Sequence, residues 1–476
     1  MSLQLSHHDK SDLGESFARI STPSPLPERD FHRNDEPTPQ TVEEVKTLLK
    51  LVGPVMITTF LEFLPGFMSI ILAGNIDSPL SQHYIDAATF SIILLNITSL
   101  SVGLGLASAL DTLSSQAYGA KRFEKIGVYF QTGVVVLTVI HVPMLFINSF
   151  TEPILKGLGQ DAEVAHLAGQ FSRWMLPGVP CLFLYELLRK RSGTSSMSLR
   201  GTAWPTGFNG IAMGRSLGNF VLPLLLVPYF MWRPHHLRQW WCQPWDLKAA
   251  MGYVGLFLRL GVPGMLMLAM DMWAFEALSI LAGLLPDSVV AVAAHSVLVN
   301  VDLLVYTTFA GLSVAANIRV GNCLGADKPK TAKLARTVAL TITLALTLFF
   351  TGLIFGLSDY IPLLFLDKGK SADLASHVMA IISPQKIVDG LNAVTQGVFR
   401  GAGKQRDAAI ANAVAYYIFG VPFGALLALQ CDLGVIGLWI GMTLGNFLAL
   451  STMAVLMKRY WDWDCIADDA RARTNL

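Results

Sequence analysis

The segment Pro54 to Gly74 (PVMITTFLEFLPGFMSIILAG) recurs at an offset of 209 residues as Pro263 to Gly283 (PGMLMLAMDMWAFEALSILAG). Each copy is an apolar run of about twenty residues, the length of an α-helix that crosses roughly 30 Å of hydrocarbon. Repeating such a segment commits the chain to a duplicated helical bundle in a bilayer. The copies differ in charge: Glu62 stands opposite Asp271, whereas Glu276 stands opposite Phe67. A carboxylate at bilayer depth costs roughly 2.5 to 3.5 kcal/mol on an insertion scale, so its retention points to ion or substrate handling.

Apolar runs near 50–74, 87–110, 126–147, 165–188 and 209–232, and then near 252–285, 289–314, 335–357, 376–399, 408–430 and 434–457, make eleven clear spans. Only 14% of the residues are charged and 53% are hydrophobic, against roughly 25% charged in a soluble domain. The expected fold class is therefore all-α, a polytopic membrane protein of two pseudo-symmetric helical lobes. A net charge of +1, with Lys and Arg confined to short inter-span segments, excludes a nucleic-acid partner.

Five cysteines are scattered without a Cys-x-x-Cys, which indicates neither a disulfide framework nor a metal site. Gly369-Lys370-Ser371 mimics the end of a phosphate loop but has no Gly five positions earlier. ATP hydrolysis is not expected, and no nucleophile with a paired base suggests an enzyme. A proton or sodium gradient is the remaining energy source, with no cofactor.

Residues 1–40, with Pro23, Pro25, Pro27, Pro37 and Pro39 among polar residues, read as a disordered cytoplasmic tail. Thr41-x-x-Glu44, followed by Val45, Leu48 and Leu49, has the pattern of a capped amphipathic helix. An N-lobe is expected over 41–232, an inter-lobe linker over 233–251, a C-lobe over 252–457 and a C-terminal tail over 458–476. Basic clusters at Lys121/Arg122/Lys125, Lys328/Lys330/Lys333/Arg336, Arg400/Lys404/Arg406 and Lys458/Arg459 alternate with loops that lack them, which puts both termini in the cytoplasm.

The repeat continues with Gly119-Ala120 against Gly325-Ala326 and Pro177 against Pro384, at offsets of 206 and 207. It then jumps: Gly210 to Asn219 (GIAMGRSLGN) matches Gly437 to Asn446 (GLWIGMTLGN) at an offset of 227. The first half is thus about one helix short between its fourth and sixth spans. Arg189, Lys190 and Arg191 end the fourth span on the same side as Arg233 and Arg238 end the sixth, and the stretch between is polar. The fifth span is degraded or missing.

Within the C-lobe, Gln385, Asp389, Asn392 and Gln396 follow spacings of 4, 3 and 4, an arc of roughly 60° on a helix. His295, Asp302 and Tyr306 form a second stripe, with Asn300 on the opposite side. Glu276 lies about 140° around the helix from Asp271. Asp271, Glu276 and Asp389 are the candidate proton-coupling and cation-binding groups. Asn300, Asp302, Tyr306, Gln385, Asn392, Gln396 and Glu62 are candidate cavity-lining residues, with structural hydrogen bonding as the alternative role for Glu62, Asn300 and Asp302.

The chain resembles the eukaryotic branch of the multidrug and toxin extrusion family, on ALDTLSSQAYGA (Ala109 to Ala120), RLGVPGMLML with DMWAFE (Arg259 to Glu276), SVAANIRVGNCLGA (Ser313 to Ala326) and DGLNAVTQGVFRGAGKQ (Asp389 to Gln405). The resemblance implies a twelve-helix plan in two six-helix lobes. It also implies export of organic cations and xenobiotics in exchange for protons or sodium, from a plasma, vacuolar or vesicular membrane, by a monomer in the lipid bilayer. It carries acids onto Asp271, Glu276 and Asp389. The chain departs from the family's pattern at Asn300, where animal members have a glutamate, at Ser69, where many bacterial members have an aspartate, and after Arg189, where the Gln-rich start of the fifth helix should follow. Two other readings stand beside export of cations: a transport-inactive splice or gene-model variant, and a lipid or lipid-linked flippase of the same superfamily.

Overall fold

The computed structural model describes residues 36, 38–74, 81–192, 207–232 and 245–475, and the described residues are helical with short connections. In the first half, α1 (Thr41–Gly74) is followed by α2 (Ser81–Leu95), which runs through a π-helical turn (Asn96–Leu100) into α3 (Ser101–Gly119). Next come α4 (Phe123–Ser149), the short α5 (Thr151–Gly157), α6 (Ala162–Met175), α7 (Val179–Ser192) and α8 (Gly207–Trp232).

The short α9 (Leu247–Gly252) leads into α10 (Val254–Ala282). The second half continues with α11 (Ser288–Gly325), α12 (Pro329–Gly356), α13 (Lys370–Ile382) and α14 (Gln385–Ala402). α15 (Gln405–Ala413) passes through a second π-helical stretch (Val414–Gly420) into α16 (Val421–Leu429). α17 (Gly434–Arg459) and α18 (Trp463–Asn475) complete the chain. Among the described residues seven helices are long and apolar enough to cross a membrane. α13 is too short for that group, and α14 carries Lys386, Asp389 and Arg400 within its 18 residues.

Each half builds its own apolar core, and the halves exchange the starts of their opening helices. Phe257 and Leu260 of α10 are buried with Leu106, Leu110, Tyr129 and Phe171 of the first half. Leu48 and Val52 of α1 are buried with Leu312, Ala315 and Val398 of the second. Small residues allow the crossing helices to touch at backbone distance, the usual device where lipid offers no hydrophobic drive to association. A Cβ on Gly105 would strike the Met265 backbone, one on Gly264 would strike Ser108, and one on Gly311 would lie 2.8 Å from the Met56 Cα.

The end of the bundle that carries the basic loops is sealed across the two halves. Thr112 donates to the Arg400 carbonyl (2.8 Å), Gln116 to the Gly401 carbonyl (3.0 Å), and Gln405 to the Thr112 hydroxyl (2.7 Å). The segment expected as a C-terminal tail is instead the folded helix α18, which locks this seal. Arg473 donates to the Gln116 side chain (3.0 Å) and to the Ala402 carbonyl (3.2 Å). Arg122 and Tyr129 donate to the carbonyls of Thr474 and Arg473. Ion pairs join Arg471 to Asp327 and Lys404 to Asp469.

Two further expectations change at the N-terminal side. Thr41 is the first residue of α1 rather than its cap, and Glu44 is drawn away to Arg319 by two bonds of 2.6 Å. Most of the expected disordered tail lies outside the described residues. Glu36, however, accepts from the Lys330 and Thr331 amides (3.0 and 2.9 Å) and so caps the start of α12. Of the expected inter-lobe linker, 233–244 lies outside the described residues and the remainder is largely α9.

The fifth-span expectation concerns residues 193–206, which also lie outside the described residues. Their neighbours define the problem. α6–α7 runs antiparallel to α4: Ser172 meets Thr151, His141 meets Phe183 edge to face, and Leu187 reaches Gly133. α7 therefore ends toward the basic end. α8 begins at the other end, with Asn209 on Gln170 (3.4 Å) and Ser216 against Gly178. The fourteen residues between them would, as a helix, rise about 21 Å, short of a hydrocarbon core of roughly 30 Å.

A candidate coupling site of buried acids and a lysine

Pro384 stands at the N-cap of α14, and the first two turns of α14 carry two opposite charges into the protein interior. Lys386 is 3% exposed and Asp389, one turn on, is 6% exposed. The Lys386 ammonium is ion-paired with Asp302 of α11, itself 6% exposed, and lies 3.7 Å from the Asp389 carboxylate. A lysine buried this deeply is tolerated only when paired. Asp302 thus belongs with Asp389 in one ionic cluster. Asn300, two residues earlier, donates back to the Ser296 carbonyl of its own helix (2.8 Å) and has no share in it.

A second polar group adjoins the first on the side of α10. The π-helical stretch at Val414–Gly420 turns two consecutive tyrosines toward that helix. Tyr417 donates to the Met270 carbonyl (3.2 Å), and Tyr416 lies beside Asp271. The Tyr416 hydroxyl also donates to Asn446 Oδ1 (2.6 Å) and accepts from Asn392 (3.0 Å), which donates to Asn446 as well. A phenol has one proton. With that proton given to Asn446, the hydroxyl serves Asn392 as an acceptor. Asp271 is also near enough to Asp389 for the two charges to repel.

The remaining candidates divide between the cluster and its surroundings. Tyr306 is half-buried one turn beyond Asp302 on α11. Gln385 accepts from Thr443 of α17 (3.0 Å), and Gln396 is buried one turn beyond Asn392. Glu276 is partly buried and makes no hydrogen bond or ion pair among the described residues; on α10 it is turned away from the face that carries Asp271. The side chain of Glu62 lies outside the described residues. His295 is accounted for by a structural chain: Trp439 donates to its Nδ1 (3.2 Å), and its Nε2 lies 3.1 Å from Ser279, which donates to the Phe275 carbonyl. That arrangement suits a neutral imidazole with no ligand.

Three members of this site escaped sequence reasoning. Lys386 is a charge inside an apolar run, so the signal that exposed Asp271 was present for it too. Asn446 closes the repeat GLWIGMTLGN, where only its register drew notice. Tyr416 had no periodic signal, because the π turn that aims it breaks the helical period. A lateral groove of about 350 Å³, lined by Ile410, Val414, Phe419 and Leu448 among others, lies between α15 and α17 and contains none of the cluster's residues.

The MatE family matches residues 54–198 and 263–426 of the chain. Multidrug and toxin extrusion protein 1 of Mus musculus is 32% identical over 459 residues, which cover 92% of this chain and 79% of the relative. The protein of the same name from Danio rerio is 30% identical over 457 residues, 91% and 75% of the two chains. Among solved structures, the eukaryotic MATE transporter AtDTX14 superposes with a TM-score of 0.83 at 28% identity, covering 91% of this chain and 99% of its own. The Vibrio cholerae MATE transporter VcmN, at 17% identity and a TM-score of 0.72, shares the fold.

Proposed function

The chain belongs to the multidrug and toxin extrusion family, and as such an efflux transporter we propose that it exchanges organic cations or other xenobiotics for protons by alternating access of its two lobes. The observation that carries this reading is the cluster of Asp271, Asp389 and Asp302 in the C-lobe, together with a lobe interface sealed at the basic end by specific hydrogen bonds. With the basic loops taken as cytoplasmic, the described conformation is closed toward the cytoplasm. In an organellar or plasma membrane the far side would then be the side of release.

The chemistry follows from charge. Organic cations are held by ionised carboxylates, and protons arriving from outside neutralise the same groups and release the cation. Asp389 is the proposed exchange group, because it already shares a cation with Asp302. Asp271 is the proposed relay, because it lies near both Tyr416 and Asp389. Glu276, apart from both, is proposed to meet substrate on its way through the cavity.

The test is accumulation of a fluorescent organic cation in vesicles under an imposed pH gradient. Transport that follows the gradient, and that is lost in Asp389→Asn, supports the reading. Transport indifferent to the gradient, or full activity in Asp389→Asn, overturns it.

A second reading, a transport-inactive product of altered splicing, is favoured by one observation: only fourteen residues join the ends of α7 and α8, which lie at opposite sides of the bundle. Transcript sequencing across codons 186–212 decides it. A longer insert of about twenty codons in the main transcript would make this chain the variant form.

A further inference from the structure

Lys386 sits where a cation is least expected. It is buried, it occupies the first turn of α14, where the helix dipole disfavours positive charge, and it gives up the freedom of a long side chain. Its ammonium nonetheless fills the space between Asp302 and Asp389. Two carboxylates facing each other across a buried gap form an oxygen-lined position of the kind hard cations occupy. Here the chain supplies the cation itself.

We propose that Lys386 is a tethered cation that takes the place of an alkali-metal ion between Asp302 and Asp389. This rests on the packing of the lysine and is separate from the coupled-transport reading above. The charged groups facing Lys386 are Asp302 from α11 and Asp389 from its own helix, with Asp271 of α10 beyond them. α17 offers only neutral polar groups there, Thr443 and Asn446. With the lysine in place a sodium ion would find its position filled and its charge opposed. With the lysine removed, two buried carboxylates are left facing each other with no counter-charge, an arrangement that recruits a cation from solution.

The experiment compares melting temperatures of the purified full-length protein and of Lys386→Ala in sodium chloride and in choline chloride, at one pH and ionic strength. The expected result is no sodium-specific shift in the wild type and a saturable, sodium-specific rise in Lys386→Ala. That rise should vanish in Lys386→Ala combined with Asp302→Asn. A sodium-specific rise in the wild type equal to that of the variant overturns the proposal, as does a Lys386→Ala protein that folds and ignores sodium.

If Lys386→Ala does not fold, the wild-type measurement still decides against the proposal when sodium stabilises it. Lys386→Met, of similar length, then repeats the comparison. Addition of ethylammonium, which restores the missing head group, should stabilise the truncated variant. Because melting needs no transport, a wild type that ignores sodium yet moves no organic cation would defeat the transport reading and leave this one standing.

Discussion

Glu44, in the first turn of α1, and Arg319, near the end of α11, are joined by two parallel hydrogen bonds of 2.6 Å, from Nε to Oε1 and from Nη2 to Oε2. The pair is 275 residues apart in sequence and fastens the opening helix of the first lobe to the second. Arg319→Lys keeps the charge and loses the planar fork. A double-mutant cycle of Arg319→Lys with Glu44→Gln, read by thermal unfolding, should give a coupling of about 1 to 3 kcal/mol. Additivity of the two changes would mean that the fork adds nothing.

Gly325 ends α11 where a Cβ would enter the Gln116 backbone, and Gly119 faces Asn322 in the same way. Gly325→Ala should therefore wedge the lobes apart at the basic end. A single cysteine placed at Gln116 should react with a membrane-impermeant maleimide from the basic side at least several-fold faster in Gly325→Ala than in the parent. Gly352, with open space around its Cβ position, provides the control, and Gly352→Ala should leave the rate unchanged.

Tyr416→Phe removes the hydroxyl that bonds both Asn392 and Asn446 and leaves those two bonded to each other. A buried hydrogen bond contributes about 0.5 to 1.5 kcal/mol net, so losing two should lower stability by about 1 to 3 kcal/mol. Gradient-driven transport should fall together with it. A Tyr416→Phe protein with parental melting temperature and parental transport would contradict the network described.

Asp161 caps α6 in the loop after α5, accepting from the Val164 and Glu163 amides at 3.2 and 2.8 Å. These bonds hold its carboxyl below the usual aspartate range. A group with a lowered folded pKa contributes stability that is present above its unfolded value, about 3.9, and is lost as pH falls through the folded value. Amide exchange at the start of α6 should therefore speed up as pH is taken below 4 beyond its ordinary pH dependence. Asp161→Asn, which still caps, should abolish that extra acid sensitivity.

The sequence exposed what local pattern can carry. Asp271 and Asp389 stand out as charges in apolar runs, and Asn392 falls on the same stripe as Asp389 by spacing alone. The repeat that pairs Gly119 with Gly325 located two glycines that meet at the lobe interface. What escaped was set by contacts between distant segments. The partner of Asp302 is a lysine on another helix, and nothing in the spacing of His295, Asp302 and Tyr306 names it. Tyr416 is aimed by a π turn, which a 3.6-residue period cannot foresee. Glu44 fits a capping box locally, but a charged fork from α11 competes for it and wins, because two charge-assisted bonds outweigh one bond to a backbone amide.

α18 makes the last described stretch of the chain part of the joint between the lobes. Arg473 holds Gln116 of one lobe and Ala402 of the other, so the lobes cannot separate at that end until it releases one of them. The helix must then travel with a single lobe. A fluorescent reporter appended after Leu476 would ride on that travelling part and load it, making such a fusion a sensor of opening and a poor neutral label. Immobilising the protein through its carboxyl end would, for the same reason, hold the door.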